Sequence, residues 1–327
     1  MLLNKKTIAF SLLSLVIGII CIYLVIDLTP ITFESIYLKL KNINPAYIIA
    51  IATVIFINNN LIAYKWKKVV QHLSKQESKP QSFYLFYIVF AALVGILVPR
   101  QLSMLIVQSF ATNVHKVSSV SSGFLSAIYN QLMNLLIPLL LVPPAILFAF
   151  NYISLKITLF LSLVIISIAP YVISKWQKPI VIFLLKIYYK IKKNRDRNKD
   201  IASEISILKP RFFIHLYWVT VLFHLSVIFK SYLVALSMGL NIKLWIFILG
   251  TPLIYLAMLL SITPGNLGIM EWSWIGILEL YNVAPQDAAS FAIIHRVLLT
   301  LSTVIIFTLV SSVVFIKKIS QSGTEKT

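Results

Sequence analysis

The sequence is poor in cysteine and in acidic residues. Cys21 is the single cysteine of the 327-residue chain, so no disulfide can form within the chain. Ten Asp and Glu stand against 29 Lys and Arg, and charged residues of both signs make up only 12% of the sequence. A soluble domain of this length would need far more polar surface, which argues against a soluble protein.

Apolar residues, in contrast, are abundant. They make up 59% of the chain, and the mean hydropathy is +0.90. A transmembrane helix needs about 20 apolar residues, and most apolar runs in this chain are close to that length or longer. No soluble domain fits between the runs, so the sequence predicts a single all-α, polytopic membrane domain over residues 1–327. The runs are 7–26, 45–63, 83–110, 123–149, 155–174, 213–236, 243–281 and 287–316.

The basic residues, which give a net charge of +19, lie in short segments between the apolar runs. In such segments they orient a membrane protein, and we therefore expect no nucleic-acid partner. The longest polar segment, 175–212, carries eleven Lys or Arg against three acidic residues and is predicted to be a cytoplasmic loop. Residues 180–193 within it alternate apolar and basic side chains at helical spacing, which is typical of either an amphipathic surface helix or a solvated linker helix.

Both ends of the chain also carry basic residues. Lys5 and Lys6 precede the first apolar run, and Lys317 and Lys318 follow the last one, so both termini are predicted to be cytoplasmic in a cell-membrane protein. The first run, 7–26, is long enough for a full span and lacks a small-residue cleavage pattern. We interpret it as a retained helix and not as a cleaved signal peptide.

Counting the crossings indicates a re-entrant hairpin in the N-terminal half. The segment 65–79, with five lysines, and the segment 175–212 should both be cytoplasmic, yet three apolar runs separate them. An odd number of crossings cannot return the chain to the same side. The conflict disappears if residues 83–122 enter from the cytoplasm and return, turning near Pro99, where a proline and two polar residues interrupt the run.

On the C-terminal side, the same count makes the run 243–281 a second hairpin, entered from the outer face. Its turn is predicted between Pro264 and Gly268, because proline and glycine interrupt a helix that the flanking residues would continue. A broken helix in a bilayer must be buried in protein or line a wet cavity, since hydrocarbon cannot bond the freed backbone groups. The predicted fold is six full transmembrane helices plus two opposed re-entrant hairpins.

The second break carries a sequence motif. The run Pro264-Gly265-Asn266-Leu267-Gly268-Ile269-Met270-Glu271 resembles the Pro-Gly-Gly-x-Gly-x-x-Glu motif of the flippase-like family that includes the membrane half of lysylphosphatidylglycerol synthases. Asn266 replaces the second glycine of that motif. Three further places agree in order: Lys65-Trp66 resembles the family's Arg-Trp, Pro99 its proline turn, and His295-Arg296 its Tyr-Arg.

Two places depart from the family pattern. Gln101 to Ser103 stands where the family commonly has Gly-Asp, and Asn130-Gln131 stands where it often has an acidic residue and an arginine. The resemblance implies movement of a lipid, or of a lipid-linked head group, between leaflets. Because the synthetic activity of that family belongs to a separate soluble domain, we expect a stand-alone membrane domain. No ATP-binding motif occurs in the sequence, and we expect no cofactor.

Charged residues inside apolar runs are the candidate site residues, because they are costly in a membrane unless they are paired or wet. Arg100 and Gln101 lie at the first predicted turn, where the arginine would pair with a phosphate or with Glu271. Arg296, in the last span, either contacts a phosphate or forms a structural pair with Glu271. Lys230 either meets a lipid phosphate or extends to the membrane surface.

The remaining candidates are one carboxylate and a polar helix face. Glu271 follows the glycine break, where the helix dipole favours an anion, and it either binds a cationic head group, carries a proton or caps the helix. Asn130, Gln131 and Asn134 follow helical spacing and are either interhelical hydrogen-bond partners or the lining of a path. We expect no metal site, since carboxylates within the apolar runs are too few, and the sequence shows no catalytic motif.

The function expected from the sequence is translocation of a phospholipid or a lipid-linked envelope precursor. Arg100, Arg296 and Lys230 would contact phosphate, while Glu271 would gate the path or balance charge. The expected partners are membrane lipids with phosphate-bearing head groups, and either a second copy of the chain or an envelope-synthesis protein. Two alternatives stay open: an enzyme or accessory subunit that transfers a sugar or another group on a polyprenyl lipid, and a transporter of small ions or solutes.

Overall fold

The structure, a computed structural model, describes the chain in several stretches. The described residues form helices joined by short turns, with no strand among them. For residues 74, 120, 121, 177–192 and 317–324 only the backbone is described. The described residues are 16, 18–20, 23–25, 27–29, 31–74, 79–118, 120–192, 209–259 and 263–324.

Ten α-helices and one 3₁₀ turn are defined within these stretches. In chain order they are α1 (Phe33–Lys41), α2 (Pro45–Ser74), α3 (Gln81–Val94), α4 (Arg100–Val114), α5 (Val120–Ala149), α6 (Leu155–Lys192), α7 (Pro210–Ser237), α8 (Leu244–Leu259), the 3₁₀ turn (Pro264–Asn266), α9 (Ile269–Leu280) and α10 (Pro285–Thr324).

Five of the described helices, α2, α5, α6, α7 and α10, are long and apolar enough to cross a membrane. Together with the overall composition, they make the chain a multi-pass helical membrane protein. The helical membrane class is therefore confirmed. The first predicted span, 7–26, lies largely outside the described residues, although the backbone is helical wherever it is described between residues 16 and 28.

Two helices extend beyond the ends predicted from hydropathy. α2 was expected to end near residue 63 but continues to Ser74, because no proline or glycine follows Pro45 before Pro80. Lys65, counted above as part of a cytoplasmic segment, consequently lies inside the helix bundle and is only 1% exposed. α6 likewise continues to Lys192, so the first half of the predicted loop 175–212 is helical.

Two further pairs of helices are interrupted. α3 and α4 have 14 and 15 residues and flank a break at residues 95–99, while α8 and α9 have 16 and 12 residues and flank a break that is described over residues 263–268. At 1.5 Å per residue these helices rise roughly 18–24 Å, which is less than the ~30 Å of a hydrocarbon core. None of these four helices is therefore long enough to cross a bilayer of normal thickness by itself.

The two breaks contact each other directly. The backbone N–H of Gly265 donates to the carbonyl of Val98 at 3.2 Å. The side-chain amide of Gln101 donates to the carbonyl of Met258, near the end of α8, at 2.9 Å. Each bond satisfies a backbone group that a continuous helix would have bonded internally. The first hairpin therefore provides hydrogen-bond partners for the second one.

The long helices enclose this contact. α2 packs along α7, α10 packs against α2, α3 and α9, and α5 packs against α4 and α8. One large apolar core runs through α2, α3, α7, α8, α9 and α10, and a smaller cluster joins α5, α6 and the first half of α7. The second break therefore lies between helices with Pro264 and Asn266 buried, whereas the first break is only partly enclosed, since Leu97 is 74% exposed.

Three residues of the second break have positive φ. Gly265 and Asn266 have φ of 57°, and Gly268 has φ of 81°. Glycine adopts this left-handed region without strain, and asparagine is among the side chains that tolerate it best. This geometry explains why asparagine can stand where the family motif has glycine.

We predict that Gly265→Ala destabilises the protein more than Gly239→Ala does. Both substitutions place a Cβ at positive φ, which costs about 1–2 kcal/mol. A Cβ at Gly265 would also lie 3.2 Å from the carbonyl oxygen of Ile96, whereas nothing lies within 4 Å of one at Gly239. Thermal unfolding in detergent, followed by tryptophan fluorescence, measures the difference. Equal losses of stability for the two variants would mean that a Cβ at position 265 does not disturb the contact with the first break.

Candidate functional site

Glu271 lies at the start of α9, directly after the second break. Its side chain is 2% exposed, and Oε2 accepts a hydrogen bond from the backbone N–H of Gly268 at 2.8 Å. The carboxylate therefore caps the helix, at the end where the helix dipole favours a negative charge. Its second oxygen, Oε1, remains for another partner.

That partner is Arg296 on α10. The guanidinium Nε donates to Glu271 Oε1 at 2.5 Å, which makes a nearly buried ion pair. Nη1 donates to the carbonyl of Gly265 at 2.6 Å, and Nη2 donates to the carbonyl of Asn266 at 3.1 Å. Arg296 thus bonds two carbonyls of the break and the carboxylate of Glu271 in α9, and these contacts fix α10 against the second hairpin.

A cavity of about 240 Å³ lies where the two breaks meet. Three cationic side chains reach it from three different elements: Arg100 from the start of α4, Lys230 from α7 and Arg296 from α10. Asn58 and Asn59 of α2 add polar groups to the wall. The structure therefore brings the three cationic candidates of the sequence analysis to one place.

The charges around this cavity do not balance. Glu271 is already paired with Arg296. Neither Arg100 nor Lys230 forms an ion pair with any carboxylate in the described part of the chain. Lys230 is 8% exposed, so its ammonium group lies within the bundle and not at a surface. Two cations held in a sheltered cavity without a carboxylate favour occupation by an anion.

A second, smaller cavity of about 60 Å³ lies on the other side of Arg100. Arg100 lines both cavities, and Gln101, Gln131 and Asn134 line the smaller one. Asn130, beside Gln131 on α5, is fully buried, and its side-chain nitrogen and oxygen have no hydrogen-bond partner among the described residues. Asn134, in contrast, accepts a hydrogen bond from Lys65, so it does connect helices.

Lys65 is a buried cation that the sequence analysis did not select. Its ammonium group donates to the side chains of Asn134 and Thr220, at 3.1 Å for Thr220, and lies 5.0 Å from the ring centroid of Phe223. His224 contacts the backbone carbonyl of Asn134 at 2.8 Å. The signal that would have identified Lys65 is its position beside Trp66, where the family motif has arginine.

The chain is similar to one protein family over most of its length. A family model described as "Lysylphosphatidylglycerol synthase TM region" matches residues 11–306. The chain belongs to this family. The resemblance seen in the sequence is thereby confirmed. The chain matches none of the curated proteins and none of the solved structures with which it was compared.

In this member of the lysylphosphatidylglycerol synthase transmembrane family, the motif residues have distinct structural tasks. Gly265 and Asn266 present their carbonyls to Arg296, and Gly268 presents its N–H to Glu271. Within the described residues of this family member, no group of three or more His, Cys, Asp or Glu side chains is placed to hold a metal ion.

We predict that Glu271 and Arg296 are energetically coupled. Removing one partner leaves a buried, uncompensated charge, so Glu271→Gln and Arg296→Met should each lower the free energy of unfolding by about 3–5 kcal/mol. The double variant should lose clearly less than the sum, because no unpaired charge remains. Denaturant unfolding in detergent measures all three variants.

The ion pair between Lys39 and Asp287 provides a matched control for this cycle. It is 3.3 Å long, and its side chains are 31% and 42% exposed. Exposed pairs contribute about 0–1 kcal/mol, so Lys39→Met and Asp287→Asn should have small effects. Strictly additive losses for Glu271 and Arg296 would show that the buried pair does not act as a unit.

Proposed function

We propose that this chain moves a phosphate-bearing lipid between the leaflets of a cell membrane. The observation that carries the proposal is the pair of cations, Arg100 and Lys230, that line one sheltered cavity without a carboxylate partner. A phosphate group carries negative charge and several acceptor oxygens, so it satisfies both cations at once. Membership of a family named for the membrane region of a lipid synthase agrees with a lipid as the ligand.

The proposed membrane arrangement has six full spans and two re-entrant hairpins. The hairpins are α3 with α4 and α8 with α9, entering from opposite faces, and both chain termini are cytoplasmic. Three arguments support it: the short interrupted helices, the contact between their breaks, and the distribution of basic segments along the sequence. Opposed broken helices that meet inside a bilayer are an arrangement that transporters use for their binding sites.

Each charged residue of the site has a separate task in this proposal. Arg100 and Lys230 bind the lipid phosphate, while Glu271 and Arg296 position the second break. Arg296 also lines the cavity, so its charge adds to the attraction for an anion. Gln101 links the two hairpins, and Gln131 lines the smaller cavity beyond Arg100.

The proposed topology predicts opposite accessibility for two engineered cysteines. In a Cys21→Ser background, His115→Cys should react with a membrane-impermeant maleimide only from the cytoplasmic side, and Val283→Cys only from the outer side. Lys79→Cys and Asn151→Cys serve as inner and outer references, since both positions are exposed on the structure. Labelling of positions 115 and 283 from the same side would contradict the hairpins.

The proposed phosphate site predicts loss of transport without loss of stability. Arg100→Gln and Lys230→Gln should each slow transbilayer movement of fluorescent phosphatidylglycerol in proteoliposomes about tenfold, since a charge-assisted hydrogen bond contributes about 1.5–3 kcal/mol. The melting temperature should stay level or rise, because an unpaired buried cation is costly. The rate is measured as the lipid fraction that becomes accessible to a membrane-impermeant quencher.

The same substitutions at exposed positions are the controls. Arg211→Gln and Lys243→Gln remove equal charges from exposed residues and should leave the rate unchanged. If Arg100→Gln and Lys230→Gln matched the parent, the phosphate site would be wrong. Uptake of solutes that ignores lipid composition would favour a solute transporter, and formation of a modified lipid by the purified chain would favour an enzyme.

A further inference from the structure

A long apolar groove lies on the outside of the helix bundle. It has a volume of about 590 Å³ and is formed by α2, α3 and α10, the same three helices that form one side of the charged cavity. Its walls are almost entirely hydrocarbon. Ile49, Leu309 and Val313 in its wall are 67%, 62% and 52% exposed, so the groove is open toward the surroundings of the bundle.

The groove and the charged cavity adjoin the same face of α10. Leu299 and Thr303 line the cavity, whereas Ile306 and Val310 line the groove. These four residues are spaced by four, three and four positions, so they follow one another along a single helical face. One stripe of α10 therefore begins in the cavity and ends in the groove.

The other two helices show the same arrangement. On α2, Ala52 lines the groove while Ile55 and Asn59 line the cavity, again at spacings of three and four. On α3, Leu85 lines the groove and Ala92 the cavity, two helical turns apart on the same face. On each of the three helices, residues that line the apolar groove and residues that line the charged cavity therefore share one face.

The length of the groove identifies the kind of ligand. Along α10 it is lined from Ile305 to Val314, which corresponds to roughly 14 Å at 1.5 Å per residue. The hydrocarbon of one leaflet is about 15 Å deep, half of the ~30 Å core. An acyl chain of a membrane lipid therefore matches the groove in both chemistry and length.

We propose that the groove holds one hydrocarbon chain of the lipid whose phosphate is bound by Arg100 and Lys230. The lipid enters sideways from the bilayer between α2 and α10, with the head group leading into the cavity and the chain following in the groove. This inference rests on the phosphate site of the proposed function, but not on movement between leaflets. It limits the ligand class to lipids and excludes free phosphate compounds.

A second copy of the chain is a poorer occupant of the groove. A packed helix from a partner would cover the apolar walls but would bring no anion to the cavity at the groove's end. An amphipathic lipid satisfies both parts, because its chain is apolar and its head group carries negative charge. Charge complementarity at one end of the groove therefore selects the lipid.

Photo-crosslinking tests this assignment without requiring transport. The probe is phosphatidylglycerol with a diazirine near the end of one acyl chain, present at a few mole per cent in phosphatidylcholine liposomes that contain the full chain. We expect the label to concentrate on α2 and α10 peptides that line the groove. Unlabelled phosphatidylglycerol should compete with the probe, whereas glycerol phosphate and diacylglycerol should not.

Two exposed valines provide a matched pair of variants. Val313 lines the groove and is 52% exposed, while Val172, on α6, is 51% exposed and does not line it. Val313→Trp should reduce labelling of the groove peptides several-fold, and Val172→Trp should leave it unchanged. Ala52→Trp narrows the groove from the opposite wall and should act like Val313→Trp. The double variant Arg100→Gln, Lys230→Gln should also reduce labelling.

The possible results separate this inference from the proposed function. Even labelling of α6 and α10 in every variant would mean that only ordinary boundary lipid contacts the groove, and would overturn the inference. Crosslinking of two copies through Val313→Cys, with a matching loss of lipid labelling, would overturn it as well. Selective labelling in a chain that moves no lipid would support the groove and contradict the proposed transport.

Discussion

The ion pair between Glu271 and Arg296 is the interaction on which the rest of the site depends. A break in a membrane helix frees carbonyl and amide groups that hydrocarbon cannot bond. Here Glu271 accepts from the N–H of Gly268, and Arg296 donates to the carbonyls of Gly265 and Asn266. Because the two charges also neutralise each other, neither is left as an uncompensated charge in the bundle. α10, which carries Arg296, is fixed in the position where it forms a wall of both the cavity and the groove.

This arrangement divides the buried charges of the bundle into two kinds. Glu271 and Arg296 form a closed structural unit, whereas Arg100, Lys230 and Lys65 lack a carboxylate partner in the described residues. Removing charges from water without pairing them is costly, and a protein that retains such a cost usually uses it for binding. Lys65 is held by Asn134 and Thr220, so Arg100 and Lys230 are the two cations that line the cavity without a carboxylate partner among the described residues.

Much of the architecture could be predicted from the sequence because its signals are local. Proline and glycine mark both breaks, apolar runs mark the long helices, and the eight residues from Pro264 to Glu271 identify the family. The end of α2 was not predictable, because no breaker marks it, and Lys65 was consequently placed in the wrong environment. For α6 the sequence predicted a helix over 180–193, but not that it continues the preceding span through Pro170 and Pro179. The two carbonyl contacts of Arg296 were also beyond reach, since they join residues about 30 positions apart through folding alone.

The smaller cavity, which Arg100 lines, bears on the permeability of the bundle to ions. At about 60 Å³ it has room for only a few water molecules, each of which needs on the order of 10–15 Å³ of accessible space. A hydrated ion does not fit into a cavity of this size, and the positive charge of Arg100, which lines it, repels cations and protons. A lipid head group does not fit into this cavity either, so the lipid movement proposed above would require the helices around Arg100 to rearrange.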